Sequence, residues 1–305
     1  MKSNALIFWL AAVIFFCGLS EAGAIPMIAM RGDILPPGNN EIKLRWAANT
    51  FDGRYNADGN PSDFAYSESR KGSIFTLDAN YGSVSSQEIC IELPFINRSH
   101  TLSLKSFLAK NAGKTRNASG LGDIILLGKS ALVSNQDLGA ASFGMGVKFP
   151  TGKSLYSIGD GKLPTGTGTW DFIGGMYTQE KRGVLRLYLN TEYYVRFSRS
   201  TSRFGNENLP GGNAKVTPGD LWKATVAAEY PVSDLINLVA ESHGVYSNKG
   251  KAYYTKDGAN AYSDIYNFGE PEYYLEESKH ISLSVEAVLS FTRGFKAFFA
   301  YQTPL

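Results

Sequence analysis

The stretch from Val184 to Phe197 reads VLRLYLNTEYYVRF. Leu185, Leu187, Leu189, Tyr193, Val195 and Phe197 share one parity, and Arg186, Tyr188, Asn190, Glu192, Tyr194 and Arg196 share the other. Side chains of a strand alternate between two faces, so this segment turns one face to hydrocarbon and the other to water. A soluble sandwich uses strands of about five or six residues, whereas a tilted strand crossing a bilayer needs about nine to eleven. This segment has the membrane length.

The same alternation recurs along the chain. Ile281 to Phe291 and Ala141 to Phe149 repeat it at full length. Ile42 to Ala48, Phe75 to Tyr81, Ile89 to Phe95, Trp170 to Met176 and Trp222 to Tyr230 repeat it in shorter form. Asp123 to Leu132, Leu235 to Tyr246 and Phe295 to Tyr301 are noisier. Trp46, Tyr81, Phe95, Phe149, Trp170, Tyr193, Phe197, Trp222 and Tyr230 stand on the apolar parity near segment ends, as the aromatic girdles of an outer-membrane barrel do. Connections alternate between short polar links (82–87, 134–138, 180–183, 231–234, 292–294) and long ones (52–72, 97–122, 150–169, 198–220, 247–279). Short inner turns and long outer loops are the expected asymmetry of such a barrel. A soluble barrel with core aromatics is the competing reading.

Composition agrees with the pattern. The chain has 305 residues, 43% of them hydrophobic, a formal net charge of +2, 32 Gly, 17 Tyr, 18 Phe, 2 Cys and 3 His. These values exclude a disordered chain and a strongly basic nucleic-acid binder, and so few His and Cys argue against a metal or redox cofactor. Residues 1–24 read as a secretory signal peptide: Lys2, an apolar run from Ala5 to Cys17, then Ala22-Gly23-Ala24 for a signal peptidase. A periplasmic segment, 25–40, precedes the barrel at 41–305. The expected fold is all-β, an antiparallel transmembrane barrel of about twelve strands of which eleven are readable, in the bacterial outer membrane.

On the parity opposite the apolar face lie Lys43, Arg45, Lys129, Lys148, Arg186, Arg196 and Lys223, with Asp78, Glu88, Glu92, Asp123, Asp171, Glu192, Glu229, Glu241 and Glu286. The two signs nearly balance. An unpaired charge in a confined space is costly, so these side chains are expected to pair across a narrow lumen rather than line a wide aqueous pore. Two motif-like runs are discounted. Gly152-Lys153-Ser154 lacks the upstream glycine of a phosphate loop, because Val147 stands there, and Asn97-Arg98-Ser99 and Asn117-Ala118-Ser119 are sequons frequent by chance. His243 and His280 fall on the lumen parity near Ser282 and Ser284 without a nucleophile elbow, so ordinary lumen histidines are expected rather than a catalytic set.

Three glycine-rich runs meet strands at one rim: Gly120-Leu121-Gly122-Asp123, Lys148-Phe149-Pro150-Thr151-Gly152 and Gly166-Thr167-Gly168-Thr169-Trp170-Asp171. In this order and spacing they resemble the outer-membrane barrels named for the meta-pathway of phenol degradation. A weaker match runs from Glu41 onward, including Glu229-Tyr230-Pro231-Val232-Ser233-Asp234. The resemblance implies passive uptake of small hydrophobic or aromatic compounds, with architectural motif residues and no catalytic set. Phe107, Tyr156 and Phe204 are the loop residues expected to contact such a ligand. Outer-membrane lipid and lipopolysaccharide are the other expected partners. A structural or partner-binding barrel and an outer-membrane lipid hydrolase remain as alternatives. Eleven strands would leave the last one ending outside, so a missed strand within 101–109 or an absent closing strand is expected, with an unpaired edge in the second case.

Overall fold

The computed structural model describes residues 30–55, 66–84, 86–104, 115–135, 139–153, 163–204, 212–254, 272–275, 278–292 and 295–304. The signal-peptide expectation at 1–24 falls outside the described residues. Each alternating segment becomes a wall strand. The first half of the wall is β1 (Asn40–Tyr55), β2 (Tyr66–Val84), β3 (Gln87–Leu104), β4 (Thr115–Leu121), β5 (Ile124–Asn135), β6 (Gly139–Phe149), β7 (Asp171–Arg182) and β8 (Leu185–Arg196). Between the halves come β9 (Arg199–Phe204) and β10 (Gly212–Thr217). The rest is β11 (Leu221–Pro231), β12 (Ile236–Ser247), β13 (Gly250–Tyr254), β14 (Glu272–Leu275), β15 (Ser278–Thr292) and β16 (Phe295–Pro304).

β4 and β5 are two parts of one wall position, interrupted at Gly122-Asp123, and both pair with β3. The barrel wall thus has eleven positions, and pairing of β2 with β3 on one side and of β16 with β1 on the other closes it. Neighbours are antiparallel except at the closing seam. There β1 and β16 run parallel, from Ile42 opposite Phe295 to Asn49 opposite Gln302. This corrects the expectation of an absent closing strand. An odd number of strands brings the first and last into the same direction, and a parallel ladder still pairs both edges. Of the region 101–109, residues 101–104 form the end of β3 and the rest lies outside the described residues.

The long connections also differ from expectation. β1, β2 and β3 run 16, 19 and 18 residues, well past the apolar bands. β9, β10, β13 and β14 form a second, four-stranded sheet in the order β14-β13-β10-β9, prolonging the wall above β8, β11, β12 and β15. Beyond the bilayer neither face needs to be apolar, so pairing continues without the hydrophobic alternation by which strands are read.

Burial is inverted relative to a soluble protein. Trp46, Phe75, Phe95, Met145, Trp170, Trp222, Tyr230 and Phe299 are exposed, while Glu41, Glu88, Lys129, Asp171, Glu192 and Glu241 are each 3% exposed or less. A soluble barrel would hide the first group and wet the second. The arrangement is that of a transmembrane β-barrel. Met145, 51% exposed on β6, stands in the apolar belt. Met145→Lys is expected to cost about 2–4 kcal/mol of stability, the penalty for a cation on a mid-bilayer lipid face. The check is the urea midpoint at which the faster-migrating, unheated band of the closed barrel disappears. A soluble barrel would show almost no shift.

Candidate functional site

The segment before β1 turns back into the barrel. Met30 packs against the inner cluster of Cys90, Leu127, Ile173, Tyr177, Tyr194 and Leu221. Lys129 Nζ donates to the carbonyls of Arg31 (2.7 Å) and Asp33 (3.4 Å), and Leu35 N donates to Glu88 Oε2 at 2.8 Å. A Cβ on Gly32 would come within 2.4 Å of the Ala140 carbonyl oxygen and 2.8 Å of Gln179 N, so the strap crosses β6 and β7 where a side chain has no room. Arg31 lies 3.7 Å from Glu41 and 3.3 Å from Asp33. Glu41, 3% exposed, is also met by Lys43 (3.0 Å) and Lys296 (2.9 Å). Residues 30–36 therefore form a strap across the short-turn end of the lumen. Below it lies a cavity of about 370 Å³ lined by Lys43, Gln179, Arg186, Tyr188, Glu229 and Val239 among others.

Midway along the barrel a second layer reaches across the lumen. Arg45 pairs with Asp78 at 2.6 Å and with Glu92 at 2.9 Å. On the opposite wall Glu192 accepts from Tyr177 OH (2.9 Å) and Tyr194 OH (2.8 Å), and Lys223 donates to Tyr194 OH at 2.9 Å. Glu92 and Lys223 also attract each other, which links the two sets of strands. Every member of the layer is held by groups of neighbouring strands, as a buried charge requires.

The three glycine-rich runs meet in a third cluster at the long-connection end. Lys148 Nζ lies 2.7 Å from Asp171 and 3.2 Å from Asp123, and also donates to Thr167 Oγ1. Asp123 accepts from Gly152 N (3.1 Å), Thr167 N (2.7 Å) and Thr167 Oγ1 (2.8 Å). Thr165 Oγ1 donates to Leu121 O and accepts from Lys153 N, and Thr169 Oγ1 donates to Asp171. The run after β6 is thus stitched back onto the break between β4 and β5. A Cβ on Gly166 would stand 2.2 Å from Asp123 Oδ1, and one on Gly152 2.7 Å from Gly166 Cα. Close packing around one carboxylate is the reason for glycine at both places. Gly166→Ala is expected to push the run off Asp123 and cost about 1–3 kcal/mol, read from the same urea midpoint.

The other sequence-chosen residues find these places. Glu88 is 3.8 Å from Lys129 and accepts from Cys90 Sγ. Glu229 accepts from Tyr188 OH and from Asn237 Nδ2 and lies 3.5 Å from Arg186, which is half-exposed at the turn end. Arg196 donates its backbone N–H to Asp220, and Glu241 is 1% exposed in the row of Ser284. Glu286 stands opposite Val239, and its side chain lies outside the description, as do those of His280 and Phe204. Phe107 and Tyr156 lie outside the described residues. Gly120 sits near the end of β4 and Gly122 in the break; Pro150 follows β6; the Gly168 carbonyl accepts from Arg199. Trp170 faces outward and packs edge-on against Phe149 at 5.0 Å. His243 pairs with Thr225 Oγ1 at 3.0 Å. Sequence reading missed Arg31, Asp33, Glu41, Tyr177 and Tyr194. The two tyrosines share the lumen parity and were legible there, whereas nothing in the run 30–36 announces a strap.

Fold and site together describe a transmembrane barrel whose lumen is filled at three levels. No protein-family model matches the chain, and no curated protein matches its sequence. Among solved structures it is similar to an outer membrane channel from Pseudomonas putida F1, with a TM-score of 0.58 and 15% identity over 88% of each chain. At that identity the likeness concerns the fold.

Proposed function

We propose that the chain is a bacterial outer-membrane channel for passive entry of small hydrophobic or aromatic compounds. The observation that carries this is the crossing of the lumen at three levels among the described residues, by the strap, by the Arg45–Asp78–Glu92 and Lys223–Tyr194–Glu192 contacts and by the rim knot, an arrangement unlike that of a wide pore for ions or sugars. The fold it shares with an outer membrane channel supports a transport role. The motif resemblance supports the hydrophobic class.

The wall itself offers such a compound a way in. β6 ends at Phe149 and β7 begins at Asp171, while β4 pairs only with β3 among the described strands. Between β4 and β7 the wall is completed by residues 163–170, through Leu163 N donating to Asn117 O and through the rim knot. A non-strand patch beside Trp170 and Phe149, at the outer margin of the apolar belt, is where a lipid-dissolved molecule would pass sideways. The rim knot then acts as the fastening of that patch. The test compares uptake of labelled toluene and of a labelled disaccharide by cells with and without the gene. Faster toluene entry with unchanged sugar entry is the expected result; equal toluene entry would remove the reading.

A further inference from the structure

The cavity of about 370 Å³ below the strap falls in the size range of small-molecule pockets, about 300–1,000 Å³. Its lining changes character around the wall. On β8, β12 and β15 it is Tyr188, Val239 and Val288, which with Ala227 of β11 make one buried apolar cluster. The next two strands in the sheet order, β16 and β1, contribute Lys296 and Lys43, which stand opposite each other in the closing seam. The strap adds Arg31. An apolar wall thus runs directly into a cationic corner.

The corner is built around a single buried carboxylate. Glu41 meets Lys43 at 3.0 Å, Lys296 at 2.9 Å and Arg31 at 3.7 Å, and accepts from Asn80 Nδ2 at 3.3 Å. Asp33 gives Arg31 a second anion at 3.3 Å. Three cations therefore share two carboxylates, and both oxygens of Glu41 are engaged. An ammonium has three N–H donors. Lys43 and Lys296 direct one each to Glu41, and both side chains also border the cavity. The carboxylate beside the apolar wall is committed elsewhere: Glu229 accepts from Tyr188 OH and Asn237 Nδ2 and lies 3.5 Å from Arg186.

We propose that this cavity binds a compact organic acid, with its carboxylate at Lys43, Lys296 and Arg31 and its apolar body against Tyr188, Val239 and Val288. The carboxylate takes ammonium donors beyond those that Glu41 uses, in charge-assisted hydrogen bonds stronger than neutral ones. The body removes apolar surface of both partners from water. A neutral compound of the same shape gains only the second contribution, and a bare small anion only the first. Resting on the channel reading, the cavity is the last position such a compound occupies before the short-turn mouth, and organic acids join the substrate class.

The experiment measures binding of radiolabelled benzoate, benzyl alcohol and acetate by equilibrium dialysis against the full chain in nanodiscs of zwitterionic lipid. Empty nanodiscs are subtracted, and the pH is near neutral so that both acids are ionised. One charge-assisted contact corresponds to a preference of about tenfold for benzoate over benzyl alcohol. Acetate, which lacks the body, should bind severalfold more weakly than benzoate. Lys43→Gln and Lys296→Gln are each expected to lower the benzoate preference severalfold, and the double variant to bring it close to one. Either single variant leaves Glu41 two of its three cations, so the strap keeps its anchor. Should the double variant fail to assemble, the two single variants decide the question. Equal binding of benzoate and benzyl alcohol by the wild type overturns the site, as does a preference that both single variants leave intact. Acetate binding as tight as benzoate overturns the role of the apolar wall. Toluene uptake by cells with and without the gene is scored separately. Benzoate preference without gene-dependent toluene entry would remove the channel and keep the site; toluene entry without benzoate preference would do the reverse.

Discussion

A chain lacking residues 30–36 is expected to conduct ions in a planar bilayer at least severalfold better than the full chain. The strap is held by Lys129 on two carbonyls, by Glu88 on Leu35 N and by Glu41 and Asp33 on Arg31. Its removal does not strand those wall groups. Lys129 and Glu88 remain 3.8 Å apart, and Glu41 keeps Lys43 and Lys296. The barrel should therefore still close, while the cavity of about 370 Å³ beside the strap widens into an aqueous vestibule. The Arg45–Glu92 and Lys223–Tyr194–Glu192 contacts stay in place, so the conductance should remain below that of a wide porin. An unchanged conductance in correctly folded protein would mean that the middle layer alone seals the lumen.

Replacing Lys148 by Met should be strongly destabilising. Its ammonium lies 3.2 Å from Asp123 and 2.7 Å from Asp171, which are 8% and 1% exposed. Without it two buried carboxylates face each other with no cation between them. Removing one partner of a buried ion pair costs about 3–5 kcal/mol, because the charge left behind has lost its compensation. The urea midpoint of the unheated band should fall accordingly. Adding Asp171→Asn to Lys148→Met should recover part of the loss, since one of the two stranded charges then disappears. If the knot fastens the wall patch, Lys148→Met should also raise toluene entry at temperatures where the barrel remains folded.

The wall was largely legible in the sequence and its closure was not. In the bilayer one face of each strand must be apolar and the other polar, so Leu185 to Arg196 and its relatives announce themselves by parity alone. Outside the bilayer that constraint lapses. Asp52, Arg70 and Thr101 lie in paired strands, yet their surroundings read as loop. The parallel seam depends on which strands become neighbours, and alternation within a strand carries no such information. The lumen charges divide in the same way. Parity placed Arg45, Asp78 and Glu92 on one face, and their adjacency on β1, β2 and β3 makes the pairing almost unavoidable. The joining of Lys148 to Asp123 and Asp171 could be anticipated only as a common rim. The strap needed the structure, because residues 30–36 are irregular chain with no alternation to read.

The decisive comparison places the full chain in proteoliposomes and follows three permeants in one preparation: potassium ions, a disaccharide and a small aromatic such as toluene. A barrel filled by its strap, its middle layer and its rim knot predicts accelerated toluene equilibration with ion and sugar leakage at the level of empty vesicles. Steady ohmic conductance with sugar passage, and no gain for toluene, would show an ordinary aqueous pore and contradict the proposed channel.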